Sequence, residues 1–418
     1  MFVYLDNSST TPQFHDVTEE MVRVAEKSFG NPSSLHRMGV DAEKILRGAR
    51  KTVAEFIGAS DDEIIFTSGG TESDNTALFG AWEALKRQGK HVITASVEHH
   101  AILESCRILE QKGAEVTYIQ PDRNGIIHAD DVAAALRDDT IIVALMHVNN
   151  ETGAVMPVEK VGRLLAGRKH TIFHCDAVQS YGKLPINVKK AGIDTLAASG
   201  HKIHGPKGTG ILYINSEKRI VPYIYGGGQQ HHMRSGTENM PGIAGFAKAS
   251  SIMKDNLKEN LRNVSQLRNM LLEGLTSRIS DIKINSPLYL QDGQAVNKAE
   301  SALGNNDDIS YAPYDKCLPY ILNVSFVGTR AEVILHMLEQ EDIYVSTGSA
   351  CSSNSKNKGS YVLRAMKLKD YEIEGAVRFS LSASNTAEQI SYTIEKVAEA
   401  VEKNRRMLSL ANKGRKRR

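Results

Sequence analysis

The chain has 418 residues, with 51 Lys and Arg against 49 Asp and Glu, a formal net charge of +2, and 41% hydrophobic residues. Such a composition is ordinary for a soluble globular protein long enough for two domains, and the near-neutral balance gives no reason to expect a nucleic-acid surface. Cys106, Cys175, Cys317 and Cys351 show no CxxC spacing, and neither an apolar N-terminal signal region nor a membrane-length run occurs, so a cytoplasmic protein is expected.

Taken in chain order, Ile45, Ala49, Val53 and Ile57 share one helical face. A β-branched run, Glu63-Ile64-Ile65-Phe66-Thr67, then meets Ser68-Gly69-Gly70-Thr71-Glu72-Ser73-Asp74-Asn75 and the start of a helix. A helix N-terminus offers free N–H groups and a positive dipole end, and glycines let an anion approach, so Gly70 and Thr71 suit a phosphate cup. Read alone, the segment also suits a plain strand-to-helix turn, and its glycine spacing fits neither a dinucleotide fingerprint nor a P-loop. Strands are expected at residues 92–94, 116–119 and 141–147. Their alternation with helices predicts a mostly parallel sheet covered by helices.

Beyond the apolar Thr171-Ile172-Phe173 lies His174-Cys175-Asp176-Ala177-Val178-Gln179-Ser180, a strand end carrying an acid. Alone, Asp176 reads as a helix N-cap. A strand over residues 194–198 leads to Ser199-Gly200-His201-Lys202-Ile203-His204-Gly205-Pro206-Lys207-Gly208. A lone lysine in such a turn is ordinarily a surface residue, but a strand end where polar loops converge is also where α/β proteins bind ligands. With Asp176 and the phosphate cup, Lys202 becomes a candidate Schiff-base amine, which requires surroundings that lower its pKa. If the cofactor is pyridoxal 5'-phosphate, Asp176 would keep its ring nitrogen protonated and Gln179 would donate to its phenolate oxygen.

The second half opens with a long helix striped by Leu257, Leu261, Val264, Leu267 and Leu271. It is expected to lead into a smaller α+β domain with a strand at Ile321–Phe326 and a closing helix carrying Ile390, Ile394, Val397 and Val401. Cys351 sits in Val345-Ser346-Thr347-Gly348-Ser349-Ala350-Cys351-Ser352-Ser353, a small and polar stretch with no apolar period. A buried structural cysteine would need apolar neighbours, whereas Lys356 and Lys358 favour an accessible thiolate, so Cys351 is expected to be a nucleophile on a loop. The pairs His99-His100 and His231-His232, and His201 with His204, lack HExxH spacing, and no metal site is expected from them. The basic C-terminal run 413–418 reads as a solvated tail.

Seven motifs occur in one order: the phosphate cup, Val97-Glu98-His99-His100, Met146-His147-Val148-Asn149-Asn150-Glu151, the Asp176 and Gln179 run, the Lys202 run, Arg234-Ser235-Gly236-Thr237 and the Cys351 run. Over nearly its whole length the chain resembles the cysteine desulfurases of the class V aminotransferase group. The resemblance implies an α/β fold of PLP-dependent transferase fold type I, with a mostly parallel large domain over residues 14–254 and a small α+β domain formed by residues 1–13 and 255–418. It implies that L-cysteine loses its sulfur to Cys351, giving L-alanine and a persulfide for an iron-sulfur scaffold or a thiolation acceptor.

Residue by residue, Lys202 is similar to the lysine that holds pyridoxal phosphate and moves the substrate α-proton, and His99 to the imidazole stacked on the ring and used in acid-base steps. Asp176 and Gln179 match the ring-nitrogen and ring-oxygen partners. Gly70, Thr71, Ser199 and His201 match phosphate ligands, and Thr237 a threonine that reaches the neighbouring subunit's phosphate, which implies a homodimer. Asn150, counted with the cofactor contacts, and Arg378 match groups near the substrate carboxylate, with Asn31 and Arg234 as further substrate-side candidates. The long form of the Cys351 loop is similar to the iron-sulfur and nitrogen-fixation branch. A segment between Asn285 and Cys317 is roughly twenty residues longer than the family's usual connection and is expected to be a surface excursion. The alternatives that the residues leave open are a selenocysteine lyase, a class V aminotransferase with no need of Cys351, and a sulfur-carrier hub that chiefly binds partners.

Overall fold

The chain's structure, a computed structural model, describes residues 1–287, 314, 316–348 and 359–415, with side chains to residue 410. Cys351, the C-terminal 416–418 and most of the segment between Asn285 and Cys317 lie outside the described residues. After a short strand β1 (Val3–Tyr4), helices α1 (His15–Lys27) and α2 (Arg37–Ile57) precede a seven-stranded sheet. Its strands are β2 (Ile64–Thr67), β3 (His91–Ala95), β4 (Glu115–Ile119), β5 (Thr140–Met146), β6 (Ile172–Asp176), β7 (Thr195–Ser199) and β8 (Gly210–Ile214). They lie in the order β2-β8-β7-β6-β5-β3-β4. Strand β8 is reversed, antiparallel to both β2 and β7, and the remaining pairs are parallel.

All residues of β5, β6 and β7 are buried, as strands with both faces covered must be, and this is why their sequences read as near-continuous apolar runs. Helix α2 closes part of one face through Ala42, Leu46, Ala49, Val53 and Ile57 and ends at Gly58, whose φ of 70° supplies the left-handed cap. Helix α3 (Gly70–Leu85) packs against β5 to β8, and α4 (His100–Gln111) against α3. Parallel neighbours aligned this way bring the C-terminal ends of β5, β6 and β7 to one edge, beside the point where strand order reverses between β3 and β5. Crevices at that edge are where open α/β sheets bind ligands.

A second apolar cluster joins the chain's two ends. Strands β9 (Ile282–Ile284), β10 (Ile321–Phe326) and β12 (Ala376–Ser380) form an antiparallel sheet in the order β12-β10-β9, while β1 pairs in parallel with β11 (Ile343–Tyr344). The helix Ala387–Arg415 buries Ile390, Ile394, Val397 and Val401 against this cluster. The expected leucine stripe, on helix Leu257–Arg278, packs against this cluster, with Leu257 and Leu267 half-buried at its margin and Arg268 fully buried beside them. Positions 261, 264, 268, 271 and 275 are the ones that stay on one face at 3.6 residues per turn.

Candidate active site

At the sheet edge the backbone lifts each functional side chain from a strand end or a helix start. The 3₁₀ turn Gly200–Lys202 follows β7 directly and turns Lys202 toward the N-terminal segment, where Nζ donates to the carbonyl oxygens of Ser8 at 2.6 Å and Ser9 at 2.8 Å. Gln179, in the turn after β6, donates from Nε2 to the same Ser8 oxygen at 3.0 Å. Asp176 ends β6, and its Oδ1 accepts the Val178 N–H at 2.9 Å. His99 caps α4, its Nδ1 accepting the Ala101 N–H at 3.2 Å, so the proton of the neutral ring belongs on Nε2.

These groups enclose a cavity of about 340 Å³. Gly70, Thr71, His99, Asn150, Asp176, Gln179, Ser199, His201, Lys202 and Arg378 all line it. A side chain at Gly70 would set its Cβ 2.6 Å from Val178 Cγ2, so glycine lets the start of α3 lie against the turn after β6. Asn31 and Thr237 are exposed and do not line this cavity. Arg234 instead pairs through Nε with Glu72 Oε1 at 3.0 Å, outside the lining.

Arg378, on β12, reaches in from the second cluster. Its Nη1 donates to the Asn150 carbonyl at 2.9 Å, and its Nη2 to Asp6 Oδ1 at 2.8 Å and Ser9 Oγ at 2.7 Å. Gly348, the last described residue before the segment with Cys351, lines the same cavity. A Cβ at Gly348 would come 2.2 Å from Glu151 Oε2, which also accepts the Ser360 hydroxyl at 2.5 Å. Glu151 thus touches both sides of that segment.

Burial sets the charge states. It pushes His201 down to about 4, helped by Lys202, Lys207 and Lys183, so the imidazole is neutral at pH 7. It also lowers His99, against the pull of Asp176, and raises the Asp176 carboxyl, a rise that nearby Asp74 adds to. Glu151 is pushed up to about 7 by burial. Lys183, buried over the Tyr320 ring at 5.6 Å, is pushed down to about 7 by burial and then by Lys202 and Arg378.

The cavity's unfilled demand is specific. Gln179 Oε1 and Asn150 Oδ1, both on lining residues, are buried without hydrogen-bond partners among the described residues, although buried polar atoms are normally paired. An acid, an amide and a lysine stand beside a helix N-terminus with two hydroxyl side chains. That donor set fits pyridoxal 5'-phosphate, which needs a carboxylate for its ring nitrogen, a donor for its ring oxygen, an amine for its aldehyde and N–H and O–H groups for its phosphate.

The class-V aminotransferase family model matches residues 3–296 and 289–393. The chain belongs to this family and, within it, to the cysteine desulfurases. It is 41% identical over 411 residues to the cysteine desulfurase IscS of Methanosarcina thermophila, covering 98% of this chain and 95% of that one. The IscS of Dictyoglomus turgidum is 40% identical over 403 residues, covering 96% and 95%. A NifS-like protein of known structure superposes with a TM-score of 0.84 at 35% identity, covering 96% of this chain and all of that one. SspA in complex with cysteine gives a TM-score of 0.75 at 33% identity, covering 92% and 100%. Membership implies use of pyridoxal 5'-phosphate, and the mostly parallel sheet is that of PLP fold type I. Among the described residues no helix is long and apolar enough to cross a membrane.

Sequence reading had no means of finding Asp6, Ser8, Ser9, Tyr361 and Lys183. All but Lys183 line the cavity or bond to its lining from the far ends of the chain, and Lys183 carries no motif that distinguishes it from a surface lysine.

Proposed function

We propose that this chain removes sulfur from L-cysteine at the cavity described above, yielding L-alanine and a persulfide on Cys351. The observation that carries the reading is the convergence on one cavity of an amine, Lys202, a carboxyl, Asp176, and a guanidinium, Arg378, arriving from three separate strands. SspA, a solved relative, holds cysteine.

Lys202 would hold pyridoxal phosphate, with Asp176 at its ring nitrogen, Gln179 at its ring oxygen, His99 against its face, Asn150 beside it, and Gly70, Thr71, Ser199 and His201 around its phosphate. When bound, the group supplies a sink for the electron pair left at the substrate α-carbon. The Lys202 amine would remove the substrate α-proton and return a proton within the site. The Arg378 guanidinium takes the substrate carboxylate with two parallel N–H bonds, exchanging Asp6 for it. The Cys351 thiolate attacks the substrate sulfur. One S–S bond forms, the C–S bond breaks with its electron pair going to carbon, and protonation there gives alanine. The outer sulfur of Cys351 then passes to a thiol on an acceptor protein, of the kind that builds iron-sulfur clusters or thiolates other molecules.

Exposed Thr237, outside this cavity's lining, reads as a contribution to the phosphate site of a second copy, so the working unit is proposed as a homodimer. A cytoplasmic setting fits the need for a reduced Cys351. Incubation with L-cysteine and a dithiol tests the reading. Equal amounts of alanine and sulfide without an added keto acid support it; alanine formed only with a keto acid would make the chain an aminotransferase instead.

A further inference from the structure

Asp74 lies one helical turn beyond Gly70, on the face that α3 presents to β6. Alternate residues of β6 point the same way, so His174 and Asp176 both face it. His174 is held at both ring nitrogens, with Nε2 3.0 Å from Asp74 Oδ1 and Nδ1 2.9 Å from Thr195 Oγ1 on β7. Both side chains of the Asp74–His174 pair are 1% exposed. Carboxylate oxygens of Asp74 and Asp176 and a ring nitrogen of His99 lie within 4.8 Å of one another.

Two ionised carboxyls cannot share such a place without a cation. At an effective dielectric of about 20, unit charges about 4 Å apart repel by about 4 kcal/mol. Among the described residues neither carboxyl forms an ion pair with a lysine or arginine. The other groups facing this wall do not supply the charge: His174 is pushed down to about 4 by burial, His99 is lowered too, and Glu98 is a further buried acid. Lys202 donates to the carbonyl oxygens of Ser8 and Ser9. The pair of carboxyls therefore keeps one proton.

Hydrogen bonding decides where that proton sits. Asp176 accepts a backbone N–H from Val178, which favours its ionised form, whereas Asp74 has, among the described residues, one hydrogen-bond partner for its side chain, a neutral imidazole able to accept. We propose that Asp74 is a positioning residue that stays protonated and donates to His174 Nε2, while His174 Nδ1–H donates to Thr195, so that the pair's single negative charge is confined to Asp176. The inference rests on the reading of Asp176 as the ring-nitrogen partner. It gives α3 a second task besides its N-terminus: fixing the charge on Asp176, the residue that would meet the ring nitrogen.

The test reads the proton directly, in the full-length protein. With ¹⁵N-labelled histidine, and His174 assigned by comparison with His174→Gln, wild type at neutral pH is expected to show the Nδ1–H tautomer of His174; the Nε2–H tautomer overturns the proposal. Infrared difference spectra of wild type against Asp74→Asn are expected to show the carbonyl stretch of one protonated acid, lost in the variant and retained when wild type binds pyridoxal phosphate. An unchanged spectrum overturns it. Asparagine mimics the neutral donor, so the variant's affinity for pyridoxal phosphate should stay within about three-fold of wild type, whereas a loss of ten-fold or more, about 1.4 kcal/mol, contradicts a neutral Asp74. If the variant does not fold, the wild-type tautomer alone decides. Failure of wild type to take up pyridoxal phosphate sinks the cofactor reading instead, and absorbance reports that separately.

Discussion

Lys202 donates to the Ser8 carbonyl oxygen at 2.6 Å, across 194 residues of sequence. With Ser9 at 2.8 Å, the N-terminal segment offers the amine two acceptors, both of which Lys202 would give up to hold a cofactor. Lys202→Ala is expected to bind the cofactor without the visible absorbance that a lysine-linked form gives, and to release no alanine. A variant that keeps the visible band would remove Lys202 from its proposed place.

Arg378 is the second nonlocal anchor, tied to Asp6, Ser9 and Asn150 while 6% exposed. Truncating one partner of a buried charged bond costs about 2–5 kcal/mol, so Arg378→Ala should raise KM for L-cysteine by at least about thirty-fold. Arg378→Lys should recover little of this, because an ammonium cannot reproduce the planar fork. Steady-state kinetics with the visible band as a loading control checks both, and an unchanged KM would place the carboxylate elsewhere.

Cys351→Ser separates the sulfur step from the carbon step. The variant is expected to retain the visible band and its response to L-cysteine, yet to form neither sulfide nor persulfide. Mass spectrometry of wild type after one turnover should find one extra sulfur on the peptide containing Cys351. Label on Cys317 instead would be surprising, since that thiol is fully buried.

Which parts of this site were legible in the sequence follows from chain locality. Asp176 with Gln179, and Ser199 with His201 and Lys202, occur within a few residues of one another, at strand ends that hydrophobic pattern alone marks. Asp6, Ser8 and Arg378 meet only because β1 pairs with β11 and Asp6 bridges Ser380, contacts spanning most of the chain. No local propensity encodes those contacts. Arg268 makes the same point for packing: a charged residue fills a buried position that an apolar pattern does not mark, beside the half-buried Leu267. Asp74 and Glu151 lie within local motifs, but burial gives them their importance, and burial of an acid is invisible in composition.

Glu151 carries a pH signature. Its carboxyl is fully buried and pushed from 4.5 up to about 7, first by desolvation, with Ser360 and Arg378 pulling the other way. The folded state thus holds a proton that the unfolded chain releases near the ordinary carboxylate range. Stability from this group is complete below that range and falls as pH rises toward 7, by at most about 3 kcal/mol at 1.36 kcal/mol per unit. Glu151→Gln keeps an acceptor for Ser360 and has nothing to ionise. Urea unfolding should find the variant and wild type similar at pH 4.5 and the variant more stable at pH 8; a gap independent of pH would assign the effect to packing.

Lys183 gives the opposite slope. Burial, then Lys202 and Arg378, push its amine from 10.5 down to about 7, with the Tyr320 ring 5.6 Å away as its one cation–π partner among the described residues. Below pH 7 folding must carry a buried ammonium that the unfolded chain solvates, and that penalty fades as pH rises through the interval between the two values. Lys183→Met keeps an unbranched stem of similar volume and removes the charge. It is expected to raise stability at pH 6.5, by no more than about 5 kcal/mol, and to narrow toward wild type by pH 10. Stability that rises equally at pH 6.5 and pH 10 would show that Lys183 acts through its methylene stem alone.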